Sequence, residues 1–308
     1  MKFYIYPIES FQHTVHNSEW ATTPLLPQYI GNKPLLNNSF HPIGNFDRFT
    51  QASPEEADYF VVPLLIRHTH HLKEEFSLHK HLVINLPYFA KNPEKHIFFI
   101  GSDDTRQIKC IENSIVFSFS SNKSCKRIAL HYQPNVNVPE NITNINLCPY
   151  DVSFQGFICN NLRKQVAKII LDSHLKSAVI NTRYWLEKFM ENDTTEMERN
   201  YCGLMQMSKF ILCPKGFGTS SIRFFESLAF GRIPILISDN TKLPLESKIN
   251  YNDFIIHVPE SEIESIPEII SDYKHNHELS VISRKCRDIH DKWFSNQNFH
   301  EFITQSIL

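Results

Sequence analysis

The chain has 308 residues, which is enough for two domains of ordinary size with hydrophobic cores of their own. Hydrophobic residues make up 42% and charged residues 21% of the sequence, a composition that excludes an intrinsically disordered chain. The net charge of −2 at pH 7 gives no reason to expect a nucleic-acid partner.

The first half of the chain alternates between apolar runs and polar or helical stretches. A helix is predicted at about 67–85. Buried strands are predicted at residues 3–6, 59–65, 97–100 and 115–119. This alternation favours an α/β layer with a largely parallel sheet.

Three histidines near the start of the predicted helix, His68, His70 and His71, bring metal-ligand types close together. Their spacing lacks the i, i+4 pair that would set two ligands on one helix face. The pattern therefore favours a surface helix start over a metal site, and no metal site is predicted.

A passage rich in Pro and Asn at 133–149 contains several turn signals and predicts a linker. A second α/β series follows it. Strands are predicted near 152–154 and at 210–212, 233–237 and 254–258, with helices at about 161–173 and 182–191. The predicted organisation is a first domain at 1–148, a second at 149–277 and a helical segment at 278–308.

The stretch 213–239, CPKGFGTSSIRFFESLAFGRIPILISD, carries most of the functional information. Gly216 and Gly218 allow the backbone to turn tightly and to approach a ligand, and Lys215 adds a positive charge beside them. Three possible N-cap residues come next, Thr219, Ser220 and Ser221. A helix is predicted at about 221–230, with Gly231 following it as the C′ residue. A helix start presents unpaired N–H groups, which suits an anion.

The predicted helix has two different faces. One face carries Arg223, Glu226, Ser227 and Phe230, and the other carries Ile222, Phe225, Leu228 and Ala229. The apolar face can pack on a sheet, while the first face borders a cleft at the carboxyl ends of the strands. Alternatively, Arg223 and Glu226 form an ordinary surface ion pair.

This stretch resembles the signature of the exostosin family, the family 47 glycosyltransferases. The matching residues are 208–210, 212–214, Gly216, Ser221, Arg223, Glu226, Gly231, 233–234, 238–239 and 243–244. Weaker similarity extends to 252–254 and 258–260 and to the opening strands. Two positions depart from the family pattern: Arg232 stands where Cys is usual, and Asp103 stands where the family has the His of S-H-D.

The resemblance implies an α/β fold with two Rossmann-like domains facing each other across a cleft, the GT-B architecture. In this architecture the segment 278–308 crosses back onto the first domain. The implied activity is inverting, metal-independent transfer of a sugar from a UDP-sugar to a hydroxyl of a glycan. The implied partners are therefore a nucleotide sugar and an oligosaccharide or lipid-linked glycan, with no cofactor.

Sugar transfer needs groups that stabilise the departing pyrophosphate and a base that takes a proton from the acceptor. Lys215, Arg223 and the backbone amides of residues 216–221 are predicted to bind the pyrophosphate. By resemblance to GT-B enzymes, Glu226 is predicted to accept hydrogen bonds from ribose hydroxyls. The loop after Phe154, with Gln155 and Gly156, resembles the family's F-x-G step and is predicted to line the cleft or to form a plain tight turn.

The predicted catalytic base is Asp104, which matches the Asp of the family's S-H-D. Asp103 and Glu9 are alternatives, and a carboxylate at the end of a strand can also serve only as a cap or turn residue.

Two other functions stay open. One is a catalytically silent subunit that binds a nucleotide sugar or an active partner. The other is a nucleotide-sugar epimerase.

The compartment is predicted from what the sequence lacks. Seven cysteines occur without a CxxC pair, and the opening residues do not form a secretory h-region. No segment approaches the ~20 apolar residues of a transmembrane helix. A cytoplasmic protein is therefore expected, with peripheral contact at the inner face of the membrane as an option.

Overall fold

The structure is a computed structural model built around two parallel β-sheets. It describes residues 1–7, 22–24, 46–66, 83, 86–101, 109–123, 126–134, 136–183, 187 and 193–308. Among these residues, no helix is both long and apolar enough to cross a bilayer.

Six strands of the first sheet lie within the described residues. They are β1 Phe3–Ile5, β2 Thr22–Pro24, β3 Tyr59–Ile66, β4 His96–Ile100, β5 Ile115–Ser118 and β6 Ile128–Ala129. The order is β1-β3-β4-β5-β6 with all neighbours parallel, and β2 pairs antiparallel with β3. Every residue of β4 is buried, as expected for a parallel strand that is covered on both faces.

The second sheet, as far as the chain is described, has five parallel strands. They are β7 Tyr150–Gly156, β8 Ser177–Asn181, β9 Ser208–Pro214, β10 Ile233–Ile237 and β11 Ile256–Val258. The order is β11-β10-β9-β7-β8. The direction of winding reverses between β7 and β9, because β8 lies on one side of β7 while β9, β10 and β11 follow on the other. In doubly wound sheets ligands bind at such a reversal, beyond the carboxyl ends of the strands.

Six α-helices in the described part of the chain accompany the second sheet and the C-terminal segment. They are α1 Asn161–Leu171, α2 Thr195–Gln206, α3 Ile222–Ala229, α4 Ile266–Asn276, α5 Leu279–Ile289 and α6 Phe299–Ile307. A π-helical turn, His290–Phe294, lies between α5 and α6. As predicted, Gly231 follows α3 in the left-handed conformation, with φ of 58°, which glycine adopts without strain.

The predicted fold class, α/β with two Rossmann-like units, is confirmed by these two sheets. The strand predicted at 254–258 is shorter than expected and begins at Ile256, because residues 251–253 form a 3₁₀ turn. The helices predicted at 67–85 and 182–191 fall mostly outside the described residues. The division into segments 1–148, 149–277 and 278–308 stays a prediction.

Helix α6 packs against the first sheet through aromatic side chains. The ring centroid of Phe299 lies 5.8 Å from that of Phe46 and 6.0 Å from that of Phe99. Phe302 lies 6.1 Å from Phe117 of β5. The end of the chain therefore fills part of the core under the first sheet.

Arg232, the residue that departs from the family pattern, is fully buried beside the second sheet. Its Nε donates to the carbonyl of Met205 at 3.1 Å, and its Nη2 donates to the carbonyls of Thr143 and Gln206 at 2.8 and 3.0 Å. These bonds tie the end of α2 to the segment before β7. Arg232 therefore has a structural role in this fold.

His131 is buried among the aromatic rings that join the two sheets. Its ring centroid lies 4.5 Å from that of Phe302 and 5.3 Å from that of Phe294. The pKa of His131 is lowered to about 3, chiefly by burial and to a smaller extent by the nearby His290. The ring is therefore neutral at physiological pH.

The depressed pKa of His131 predicts a loss of stability in acid. Below its ordinary pKa of 6.5 the unfolded chain binds a proton that the folded chain does not, so the free energy of unfolding falls as the pH falls toward 3. Between about pH 7.5 and about pH 5.0, protonation of this residue in the unfolded chain should lower the free energy of unfolding by about 2 kcal/mol. In urea unfolding, the free energy of unfolding of His131→Leu should fall between these two pH values by that amount less than the free energy of the wild type does. The exposed His275→Gln serves as the control, and equal slopes for wild type and His131→Leu would contradict the assignment.

Candidate functional site

A cavity of about 210 Å³ opens where the winding of the second sheet reverses. This volume is far above the roughly 10–15 Å³ that one water molecule needs. The cavity is bordered by the ends of β7 and β9, the start of α3 and one residue that follows the first sheet. The wall of the cavity includes Gln155, Gly156, Phe157, Arg163, Tyr201, Gly216, Gly218, Ser220, Ser221, Arg223 and Glu226, and Tyr132 is the residue that follows the first sheet.

Arg223 lies in the first turn of α3, and its guanidinium is held under the cavity. The side chain is buried, with 6% exposed, and it donates from Nε and Nη2 to the carbonyl oxygen of Gln155 at 3.0 and 2.6 Å. The guanidinium carbon lies 4.5 Å from the ring centroid of Phe154. A neutral carbonyl and a ring face orient this cation without cancelling its charge, so it can attract an anion.

Gly156 leaves the space that the guanidinium of Arg223 occupies. A Cβ built on Gly156 would lie 2.0 Å from Nη2 of Arg223, which is far inside van der Waals contact. The missing side chain at the end of β7 therefore lets the guanidinium cross the strand.

A second arginine, Arg163 in α1, joins the two loops that border the cavity. Its Nη1 donates to the carbonyl of Phe157 at 2.7 Å, in the loop after β7. Its Nη2 and Nε donate to the carbonyls of Pro214 and Lys215 at 3.1 and 3.0 Å, at the end of β9. Asn160, the N-cap of α1, donates to the carbonyls of Lys215 and Gly216 as well.

Glu226 lies one turn after Arg223 and is 2% exposed. The phenol of Tyr201 donates a hydrogen bond to its Oε2. Burial raises the pKa of Tyr201 well above its ordinary value, and the charge of Glu226 raises it further. The phenol therefore keeps its proton and its donor role.

Two buried polar atoms at the cavity wall have no hydrogen-bond partner in the described part of the chain. They are Oε1 of Gln155 and Oγ of Ser221. Ser221 is the N-cap of α3, yet its side chain makes no capping bond. A buried polar group without a partner costs about 1–3 kcal/mol, so both atoms favour a bound polar ligand.

Other predicted residues lie around this cavity. Gly216, Gly218 and Ser220 are in its wall. Thr219 instead bonds toward the first sheet, since its Oγ1 donates to the carbonyl of Ser121 at 3.0 Å.

The side chain of Lys215 points elsewhere. Its Nζ lies 2.6 Å from Oε1 of Glu260, and the residue is not part of the cavity wall.

The predicted base cannot be located. Asp104 lies outside the described residues, as do its alternatives Asp103 and Glu9. The histidine cluster at 68–71 also lies outside them. Within the ranges that are described, no group of three or more His, Cys, Asp or Glu side chains could hold a metal ion.

Sequence reasoning missed Arg163, Asn160 and Tyr201. A partial signal existed for Asn160, because Asn is a favoured N-cap residue and it directly precedes the helix α1. Nothing local marked two of the carbonyls that Arg163 contacts, those of Pro214 and Lys215, which lie about fifty residues further along the chain. Tyr201 is 25 residues from Glu226, so their pairing depends on how α2 packs beside α3.

The chain matches known proteins at the level of a family. The model of the exostosin GT47 domain matches residues 1–273. A probable glycosyltransferase of Arabidopsis thaliana is 28% identical over 151 residues, which cover 47% of this chain and 31% of that protein. An exostosin-1 homolog of Caenorhabditis elegans is 32% identical, with 38% and 28% covered. A probable glucuronosyltransferase of Oryza sativa is 33% identical, with 33% and 25% covered. The chain thus spans about a quarter to a third of the length of these relatives.

Solved structures resemble the chain more distantly. Anabaena HepE in complex with UDP is 10% identical, with 82% of this chain and 79% of that chain covered and a TM-score of 0.44. TarM is 11% identical, with 76% and 59% covered and a TM-score of 0.38.

The close approach at Gly156 can be tested with a pair of glycine substitutions. Gly156→Ala should lower the free energy of unfolding by about 1–3 kcal/mol, because the Cβ displaces Arg223 from its buried carbonyl partner. The matched control is Gly203→Ala in α2, where a Cβ meets nothing within 4 Å. That change should stabilise by roughly 0.5–1 kcal/mol. Urea unfolding checks both values, and an unchanged Gly156→Ala protein would contradict the geometry.

Proposed function

Because the chain belongs to the exostosin GT47 family, we propose that it is a glycosyltransferase that moves a sugar from a nucleoside-diphosphate donor to a hydroxyl of a glycan. The observation that carries the proposal is the buried guanidinium of Arg223, which borders the cavity and makes its hydrogen bonds to a neutral carbonyl. Such a group is suited to a phosphate, because a guanidinium can bind two phosphate oxygens at once.

The start of α3 supports the same ligand. Ser220 and Ser221 border the cavity at the helix N-terminus, where unpaired N–H groups carry partial positive charge. The unpartnered Oγ of Ser221 adds a hydroxyl donor at this point. In the proposed complex the diphosphate lies between these groups and Arg223.

Glu226 binds the ribose in this proposal. The carboxylate of Glu226 acts as a hydrogen-bond acceptor, and the phenol of Tyr201 is one of its donors. A carboxylate repels phosphate, so its partner in the same cavity is a neutral hydroxyl-bearing group. The ribose of a nucleotide is such a group.

The reaction itself is a substitution at the anomeric carbon. The acceptor oxygen forms a bond to this carbon while the bond from the carbon to the phosphate oxygen breaks. The acceptor proton passes to a base, for which Asp104 is proposed, and the negative charge of the leaving diphosphate is stabilised by Arg223.

The finer assignments come from the family. The donor is proposed to be a UDP-sugar, the anomeric configuration is proposed to invert, and no catalytic metal is invoked. The acceptor is proposed to be an oligosaccharide or a lipid-linked glycan presented at the cytoplasmic face of a membrane.

The role of Arg223 is tested by Arg223→Ala. Removing the guanidinium should weaken UDP binding by about 10- to 100-fold and abolish sugar transfer, since charge-assisted hydrogen bonds contribute about 1.5–3 kcal/mol each. Calorimetry with UDP and a UDP-release assay over a panel of UDP-sugars measure the two effects. Exposed Arg199→Ala is the control. Unchanged UDP affinity in Arg223→Ala would refute the assignment, and UDP binding without any transfer by the wild type would favour a silent subunit.

The role of Glu226 is tested with deoxyribose ligands. Glu226→Gln keeps the shape but removes the charge, so UDP should bind about 10-fold more weakly. The loss should be smaller for whichever of 2′-deoxy-UDP and 3′-deoxy-UDP lacks the contacted hydroxyl. The control is the exposed Glu262→Gln. An equal loss for all three nucleotides would show that the carboxylate does not contact the ribose.

A further inference from the structure

The side chain of Gln155 is a buried polar group in the wall of the cavity. Only 6% of the residue is exposed, and its Oε1 has no hydrogen-bond partner among the described residues. Burial without a partner is costly for a carbonyl oxygen, because the protein does not replace the hydrogen bonds that water would make. Most buried side-chain oxygens do have a partner, so this exception at a cavity wall indicates a contact that a ligand completes.

Gln155 lies directly beside the cation that is proposed to bind the diphosphate. Its backbone carbonyl accepts hydrogen bonds from Nε and Nη2 of Arg223 at 3.0 and 2.6 Å. The side chain starts from the same residue, so its reach is limited to the surroundings of this guanidinium. The amide can therefore contact only those parts of a bound nucleotide sugar that are close to the phosphates.

The chemistry of the amide favours hydroxyls over phosphate. Oε1 of Gln155 is a hydrogen-bond acceptor, and an ionised phosphate has no proton to donate to it. The same amide carries an NH₂ group with two donors beside this oxygen. An acceptor and a donor side by side complement two neighbouring hydroxyls, one donating and the other accepting. Neighbouring hydroxyls of this kind are the characteristic feature of a sugar ring.

Two sugar rings flank the diphosphate of a nucleotide sugar, the ribose and the transferred sugar. The base is one ribose further away and is therefore the more distant part. Glu226 is proposed above to accept hydrogen bonds from the ribose, and it belongs to the same helix as Arg223. The hydroxyl-bearing ring that still lacks a protein partner in this arrangement is the transferred sugar.

We propose that the side-chain amide of Gln155 binds hydroxyls of the transferred sugar and helps to select the donor. The inference rests on the proposed function and adds a sugar subsite to it. A donor that lacks the contacted hydroxyl leaves Oε1 buried and unpaired in the complex, so it binds more weakly than a donor that carries it.

The experiment measures binding of UDP, UDP-glucose, UDP-galactose, UDP-xylose, UDP-arabinose and UDP-glucuronic acid by calorimetry. Gln155→Met keeps the length of the side chain but removes both the acceptor and the donors. It should weaken binding of the UDP-sugar that the wild type binds best by about 5- to 50-fold and leave UDP within about 2-fold. Gln155→Asn keeps a shortened amide and should fall between Gln155→Met and the wild type.

The exposed Gln165→Met is the matched control and should bind every ligand as the wild type does. The midpoint of urea unfolding without ligand should not fall in Gln155→Met, since Oε1 has no partner to lose. If Gln155→Met does not fold, Gln155→Asn gives the same comparison of UDP with the UDP-sugar.

Two results would overturn the sugar subsite and leave the proposed diphosphate site in place. One is an equal loss of affinity for UDP and for the best UDP-sugar, which would show that Gln155 contacts the nucleoside or only positions Arg223. The other is unchanged binding of every UDP-sugar by the Gln155 variants. Absence of UDP binding by the wild type would instead overturn the proposed function, and this inference with it.

Discussion

The guanidinium of Arg223 can reach the cavity because the chain has no side chain at Gly156. Any Cβ at that position would occupy the place of Nη2. The residue before Gly156, Gln155, supplies the carbonyl that accepts hydrogen bonds from the guanidinium. The end of β7 therefore both leaves space for the cation and orients it. The roles proposed for the neighbouring residues depend on this position of the Arg223 guanidinium, because it determines where an anion can lie relative to α3.

The parts of the site that lie close together in sequence were predictable. The glycine loop, the cap residues, α3 and β10 follow one another within 213–239, and their order alone places Arg223 and Glu226 on one face beyond the end of a strand. The parallel strands other than β6 and β8 were predicted for a related reason. Their apolar runs are continuous, as expected for strands that are covered on both faces.

Contacts between distant segments were not predictable from local patterns. A lysine beside a glycine loop suggests a phosphate ligand, but Lys215 pairs with Glu260, which arrives from the end of β11. Arg163 is the opposite case. Its local sequence is that of an ordinary helix residue, but in the fold it donates to carbonyls that follow β7 and end β9. Arg232 departs from the family pattern, yet its three carbonyl partners make it part of the core. The partner of a long cationic side chain depends on the fold and not on its neighbours in sequence.

Helix α6 connects the last part of the described chain to the core of the first sheet. In chain order, all strands of the second sheet follow β6, and α6 follows them. Phe299 and Phe302 of α6 pack against Phe99 of β4 and Phe117 of β5. A fragment that ended before α6 would lack the rings that pack on Phe99 and Phe117, so the core of the first sheet depends on a helix that follows the second sheet in the chain.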